Sequence, residues 1–160
     1  MFPVLPFAKK AEQYIRMAVS NESIPVEAIA SILQSRCEKL GDIPEKIDFI
    51  DTLAEYDASL YVHKKSKTDE KISLQMLIEA RAALDALTKW TFDTIHDALT
   101  ALAEKLNIKN ATLMWPLRVA ISGKAVTPGG AVELCWILGR DETLRRIASG
   151  INKLEVVGNE

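Results

Sequence analysis

FDTIHDALTALAEKL, residues 92–106, puts apolar side chains at Phe92, Ile95, Leu99, Leu102 and Leu106, offsets 0, 3, 7, 10 and 14. That spacing follows the 3.6-residue turn and draws a single apolar stripe along an amphipathic helix. Immediately before it, Thr88-Lys89-Trp90-Thr91 interrupts the pattern. Beyond it, Asn110 belongs to the residue types that cap helix N-termini, and the helix it would open runs through Pro116, whose ring should kink it, to a stop at Gly123. Thr127 can cap the next helix, with Pro128 in its first position and Gly139 closing it. Asp141 can cap a last one carrying Leu144, Ile147, Ile151 and Leu154.

Upstream, the same period continues. A first helix is expected from about Phe7 to Met17, and a second from Pro25 to about Lys39, with Val26, Ile29, Leu33, Cys37 and Leu40 on one face. Gly41 stops it, and Asp42 followed by Glu45 has the form of a capping box for a third helix with Ile43, Ile47 and Ile50 inward, ending near Leu53. EYDASLYVHKKSKTDE, residues 55–70, is polar and basic without a period, so it reads as a connection holding one short helical turn. A fourth helix follows Ser73, with Leu74, Leu77, Ala80, Leu84 and Leu87 in register. No sustained two-residue alternation marks a sheet. The expected fold is all-α, about eight helices in two packed helical subdomains, residues 1–88 and 89–160, joined near Thr88.

A chain of 160 residues should bury roughly 70% of its unfolded surface. With 48% hydrophobic and 26% charged residues it matches folded, water-soluble proteins rather than disordered ones. Cys37 and Cys135 are far apart, with no CxxC spacing and no nearby histidine, which reads as two reduced core thiols rather than a disulfide framework or a zinc site. The apolar start, Met1 to Phe7, is short, lacks a basic leader and contains two prolines, so it reads as neither signal peptide nor membrane span. A thiol–imidazole pair drawn from these cysteines and His63 or His96 would suffice for nucleophilic chemistry, but no triad-like context surrounds them, and no carboxylate cluster has metal-site spacing. The net charge of −2 conceals an asymmetry: residues 1–108 hold 13 Lys/Arg against 17 Asp/Glu, residues 109–160 hold 7 against 5. The C-terminal third is therefore the side suited to a polyanion.

Within that third, MWPLRVAISGKAVTPGGAVELCWILGRDETLRRI, residues 114–147, contains Trp115-Pro116-Leu117-Arg118, Ser122-Gly123, Thr127-Pro128-Gly129, Leu138-Gly139 and Leu144-Arg145-Arg146-Ile147. In order and spacing these resemble the anticodon-binding C-terminal subdomain of bacterial-type, class I glutamyl-tRNA synthetases. Trp90-Thr91 before Ile95, and Tyr56-Asp57-Ala58-Ser59-Leu60-Tyr61, resemble the same family, so the likeness covers nearly the whole chain. It implies that Arg118 and the turn Thr127-Pro128-Gly129-Gly130 face the anticodon bases of the glutamate tRNA. The residues suit that role: a guanidinium can stack on an unpaired base or fork onto its edge, and a glycine turn before a helix can expose backbone donors at Gly129, Gly130 and Ala131. Taken alone, Thr-Pro-Gly-Gly reads first as a capped helix start, and Arg118 as a surface arginine. Arg36 aligns with an arginine that in some members reads the first anticodon base; a salt bridge to a neighbouring acid is its other reading. Lys109, Lys124, Arg140, Arg145, Arg146 and Lys153 could add phosphate contacts or simply form an exposed helix face, with a helix-capping ion pair as a further option for Arg146. Trp90, Trp115 and Trp136 read as core or hinge packing rather than base-stacking platforms.

The family's catalytic half carries a HIGH-like motif and a KMSKS-like loop. Lys64-Lys65-Ser66-Lys67-Thr68 resembles the latter superficially, but with no upstream ATP-binding fold it reads as a solvated basic connection. The resemblance thus implies a tRNA-binding fragment of a cytoplasmic glutamate–tRNA ligase, monomeric, with no DNA or membrane partner. It would be inactive alone and without a cofactor of its own, ATP and Mg2+ serving the catalytic domain. A helical protein-interaction module built on the same scaffold is the alternative.

Overall fold

The computed structural model describes residues 4–34 and 39–158. Among them are eight α-helices and no strand: α1 Val4–Ala18, α2 Val26–Leu33, α3 Ile43–Lys46, α4 Glu70–Asp85, α5 Phe92–Lys105, α6 Asn110–Ser122, α7 Ala131–Leu138 and α8 Arg140–Gly158. Two short 3-10 turns, Leu40–Asp42 and Ala58–Tyr61, complete the elements. The all-α expectation holds because every long segment has one apolar face at helical spacing and nothing in the sequence supports a ladder.

By proximity the chain forms two compact units, Met1–Ala54 with Val126–Gly129, and Glu55–Ala125 with Gly130–Glu160. In the first, α1 packs on α2 and α3 around Ala11, Ile15, Ile29, Leu33, Ile43 and Ile47, all without solvent exposure. Arg16 gathers the carbonyls of the α1–α2 connection, donating to Asn21 O at 3.1 Å and Ile24 O at 2.9 Å. α2 ends at Leu33 rather than near Lys39, and Arg36 and Cys37 lie outside the described residues. α3 is one turn and not the helix to Leu53 expected from the spacing, although Ile47 and Ile50 are buried as that spacing requires. Asp42 makes no side-chain cap bond because its own backbone is already helical, at φ −83° and ψ −11°, within the preceding 3-10 turn.

In the second unit α4 packs against α5, α6 and α8. It starts at Glu70, earlier than expected, because Asp69 caps it by accepting from Ile72 N at 2.7 Å; Ser73, buried, donates instead to Tyr61 O at 3.3 Å. Thr91 caps α5 in a reciprocal box with Thr94. α6 begins with Asn110 inside it, after Lys109 and without a side-chain cap, and Gly123 ends it in the left-handed conformation at φ +67°. α7 begins at Ala131, four residues after Thr127, and α8 continues after Gly139 with Asp141 in its first turn. The expected joint at Thr88 falls inside this unit. Arg140 donates to the Leu87 and Asp85 carbonyls at the end of α4, and Trp90 Nε1 donates to Cys135 O at 3.0 Å, so both sides of Thr88 are anchored to α7 and α8. No helix among the described residues is long and apolar enough to cross a membrane.

Candidate nucleic-acid interface

α6 carries Ala111, Trp115 and Arg118 along one stripe, and α5 carries Phe92, His96 and Thr100 along another. Between them, with Gly130 to Glu133 at the start of α7 and Ser66 at one margin, lies an open cleft of about 450 Å3, within the range of small-ligand sites. Arg118 is held on its wall. Nη2 donates to Ala125 O at 2.6 Å, and the guanidinium carbon is 5.0 Å from the centroid of the Trp115 ring, in cation–π range. The Ala125 carbonyl is placed by the end of α6: Ser122 Oγ donates to Arg118 O at 2.6 Å and accepts from Lys124 N at 3.1 Å as the chain turns through Gly123. Burial lowers the guanidinium's pKa from its ordinary value, and Nε is enclosed without an acceptor. A planar cation with donors to spare, seated on an indole in a cleft that Phe92 also lines, suits a flat aromatic ligand with acceptor atoms on its edge.

Of the expected site residues, Arg118 and Gly130 line this cleft. Thr127, Pro128 and Gly129 belong to the first unit, where Thr127 Oγ1 donates to Gly129 O at 2.9 Å instead of capping a helix. The Gly130 amide is not a bare donor, since Glu133 Oε1 accepts from it at 3.3 Å. A carboxylate at the start of α7 makes that end unsuited to a phosphate and suited to a ligand edge offering donors. Glu133 was readable in the sequence as the acid three positions after a helix cap, but only with the helix start placed at Gly130.

The other cations divide sharply. Arg146 is completely buried, donating to Glu142 Oε1 and Ile121 O at 2.7 Å each, so it secures the end of α6. Arg140 is committed to α4, and Lys153 to Glu55 and, at 2.8 Å, Tyr56 O. The sequence set Arg146 apart only by the option of a helix-capping ion pair, which Glu142 provides, and offered no sign separating Arg140 and Lys153 from surface cations. Arg145 is exposed and paired to Glu142 at 3.0 and 2.5 Å, bonds that hold the Glu142 carboxyl below its ordinary range. Lys109 is exposed, and Lys124 half-buried.

Trp115 and Trp90 are packing residues, Trp115 donating to Leu60 O at 2.9 Å; Trp136, at 40% exposure, is not core. Phe92, expected inside, is also 40% exposed and lies parallel to His96, centroids 6.2 Å apart and planes 13° from parallel. Burial pushes the Cys135 thiol up to about 12, which keeps it protonated and poorly suited to act as a nucleophile. Among the described residues no group of three or more His, Cys, Asp or Glu could hold a metal ion.

Residues 6–151 match the family described as "Anticodon binding domain". The chain belongs to that family. The domain is 43% identical over 155 residues to a glutamate–tRNA ligase of Clostridium tetani, covering 97% of this chain and 32% of that protein. It is 47% identical over 152 residues to the one from Clostridium novyi, covering 93% and 31%. Among solved structures, the glutamate tRNA ligase of Elizabethkingia meningosepticum superposes with a TM-score of 0.72 at 26% identity, over 94% of this chain and 29% of that one. This anticodon-binding domain therefore spans about a third of the length of these relatives, matching their C-terminal region.

Proposed function

We propose that the chain supplies the anticodon-reading part of a glutamate–tRNA ligase, working in the cytoplasm as a monomeric unit with a catalytic part that uses ATP and Mg2+. The observation that carries this is the Arg118 cleft: a cation seated on an indole, an exposed phenyl ring and the Glu133 carboxylate, all in a chain of the anticodon-binding family. An unpaired base can enter edge-on to Arg118 and stack against an aromatic face, which is how single-stranded RNA loops are read. Thr127, Pro128, Gly129 and Gly130 are proposed to contact the anticodon through backbone and close approach, Lys124, Arg145 and Arg36 to add weaker contacts. The chain itself takes no cofactor in this reading; its product is selectivity.

The test is titration of the chain with a glutamate-tRNA anticodon stem-loop and with the same loop carrying a changed anticodon. Tighter binding to the first, weakened roughly ten- to hundredfold by Arg118→Ala, is expected from the loss of one forked base contact. Equal affinity for both loops, unaltered by Arg118→Ala, would refute the reading and favour a protein-interaction module.

A further inference from the structure

The basic stretch at residues 64–67 carries its lysines in solvent, as expected, but its backbone is an ordered turn. His63 and Thr68 exchange two backbone hydrogen bonds of 3.1 Å, and Lys67 N donates to Lys64 O at 3.1 Å, closing a tight turn. Its inner side is fixed at several points. The His63 ring lies flat on Trp115, centroids 3.7 Å apart and planes 6° from parallel. Its Nδ1 accepts from Ser66 N at 3.3 Å and lies 2.8 Å from Ser66 Oγ. Thr112 Oγ1 of α6 donates to Ser66 O at 2.7 Å, and Thr68 Oγ1 to Tyr61 O at 2.7 Å.

The outer side is three lysines in four residues. Lys64, Lys65 and Lys67 are exposed, and none of their ammonium groups has an ion-pair or hydrogen-bond partner among the described residues. Lys67 has φ +57°, a left-handed backbone that glycine or asparagine adopts at lower cost. Three like charges on one ordered turn repel each other, and among the described residues no carboxylate is paired with them. Ser66, in the middle of the turn, lines the Arg118 cleft, so the turn that carries the three lysines borders it.

We propose that the Lys64–Lys67 turn is a phosphate-binding ledge, which holds the sugar–phosphate backbone of the RNA whose base enters the Arg118 cleft; this rests on the anticodon reading above. Rigidity is what suits it to the task. The fold has already ordered the backbone, so binding immobilises only lysine side chains while displacing counterions from the RNA. Such contacts carry no sequence information, and they complement a cleft that does.

The experiment measures affinity of the full chain for the cognate and changed stem-loops across a salt series, for wild type, for the triple variant Lys64→Gln, Lys65→Gln, Lys67→Gln, and for Lys67→Gly. The triple variant should weaken both loops by the same factor, keep the ratio between them, and lower the slope of log affinity against log salt by about two. Lys67→Gly should unfold at a temperature no lower than wild type, because glycine relieves the left-handed backbone, and still lose part of the slope. An unchanged slope in the triple variant overturns the ledge, whatever Arg118 does. Wild type binding neither loop overturns both proposals, whereas equal binding of both loops with a slope that the lysines control overturns only the reading of the anticodon.

Discussion

Gly150 of α8 has no room for a side chain. A Cβ there would stand 2.7 Å from Tyr61 Oη and 3.2 Å from both Ala120 Cβ and Leu77 Cδ1. Tyr61 cannot swing away, being fully buried with its hydroxyl 2.7 Å from that of Tyr56. Alanine is favoured over glycine inside a helix by about 1 kcal/mol, but overpacking a fixed core costs about 1–3 kcal/mol, and against three neighbours the clash prevails. Gly150→Ala should therefore lower stability by about 1–2 kcal/mol in urea unfolding. In a double-mutant cycle Tyr61→Phe, which removes the clashing oxygen, should recover part of that loss; strictly additive costs would show that the contact is not the cause. Legibility at this scale was uneven. Arg118 stood out through its neighbours Trp115, Pro116 and Leu117, while Arg146, two residues past Leu144 in an equally recognisable motif, is a core anchor. Sequence carries residue type, but whether a guanidinium meets solvent or the Ile121 carbonyl depends on where α6 ends relative to α8.

Helix ends are set by competition among several polar groups a few positions apart. Near the end of α1 the winner comes from outside the helix: Asp51 accepts from Ser20 N and Oγ, each at 2.8 Å, and from Asn21 N at 3.4 Å. The Ser20 backbone bond, helped by the Ser20 hydroxyl, the Asn21 amide and the charge of Arg16 against an opposing cost of desolvation, holds the Asp51 carboxyl below its ordinary value of 3.8. A folded-state value below the unfolded one means that stability is present above the ordinary carboxylate range and is lost as pH falls through the lowered value. The stability difference between wild type and Asp51→Asn should thus be greatest near neutral pH and shrink in acid below about 3.8. A difference constant from neutral pH through that range would show that the carboxylate's charge is not what ties the two segments. The same competition explains which helix starts could be read. At Thr91 the hydroxyl accepts from the Thr94 amide in the first turn, and the start was legible. At Ser73 and Thr127 a hydroxyl found a carbonyl, of Tyr61 and of Gly129, and the helix began elsewhere, at Glu70 and Ala131. Apolar spacing predicted burial better than it predicted helix length, as at Ile47 and Ile50, because successive tight turns can present the same side chains to a core.

At the scale of the molecule the two divisions of the chain predict different folding units. Sequence pattern broke at Thr88, where the helical period stops; proximity breaks at Ala54, where the first unit's core ends and the Glu55–Tyr61 segment begins to pack on α8. Periodicity reports where a helix ends and is silent on which helices share a core. α4 lies before the sequence break yet is central to the second unit, with Leu77, Ala80 and Leu84 wholly buried and Met76 nearly so. Full burial of a large apolar side chain contributes about 1.5–3 kcal/mol, so Met76, Leu77 and Leu84 alone supply about 5 kcal/mol or more, comparable with the whole stability of a small domain. A fragment of residues 55–160 should accordingly unfold in one cooperative thermal transition with helical circular dichroism at the start. A fragment of residues 89–160, lacking α4, should show no cooperative transition and should expose apolar surface to a hydrophobic dye. Cooperative folding of the shorter fragment would place the core among α5 to α8 alone, and the Arg118 cleft, whose walls are α5, α6 and α7, would then survive without α4.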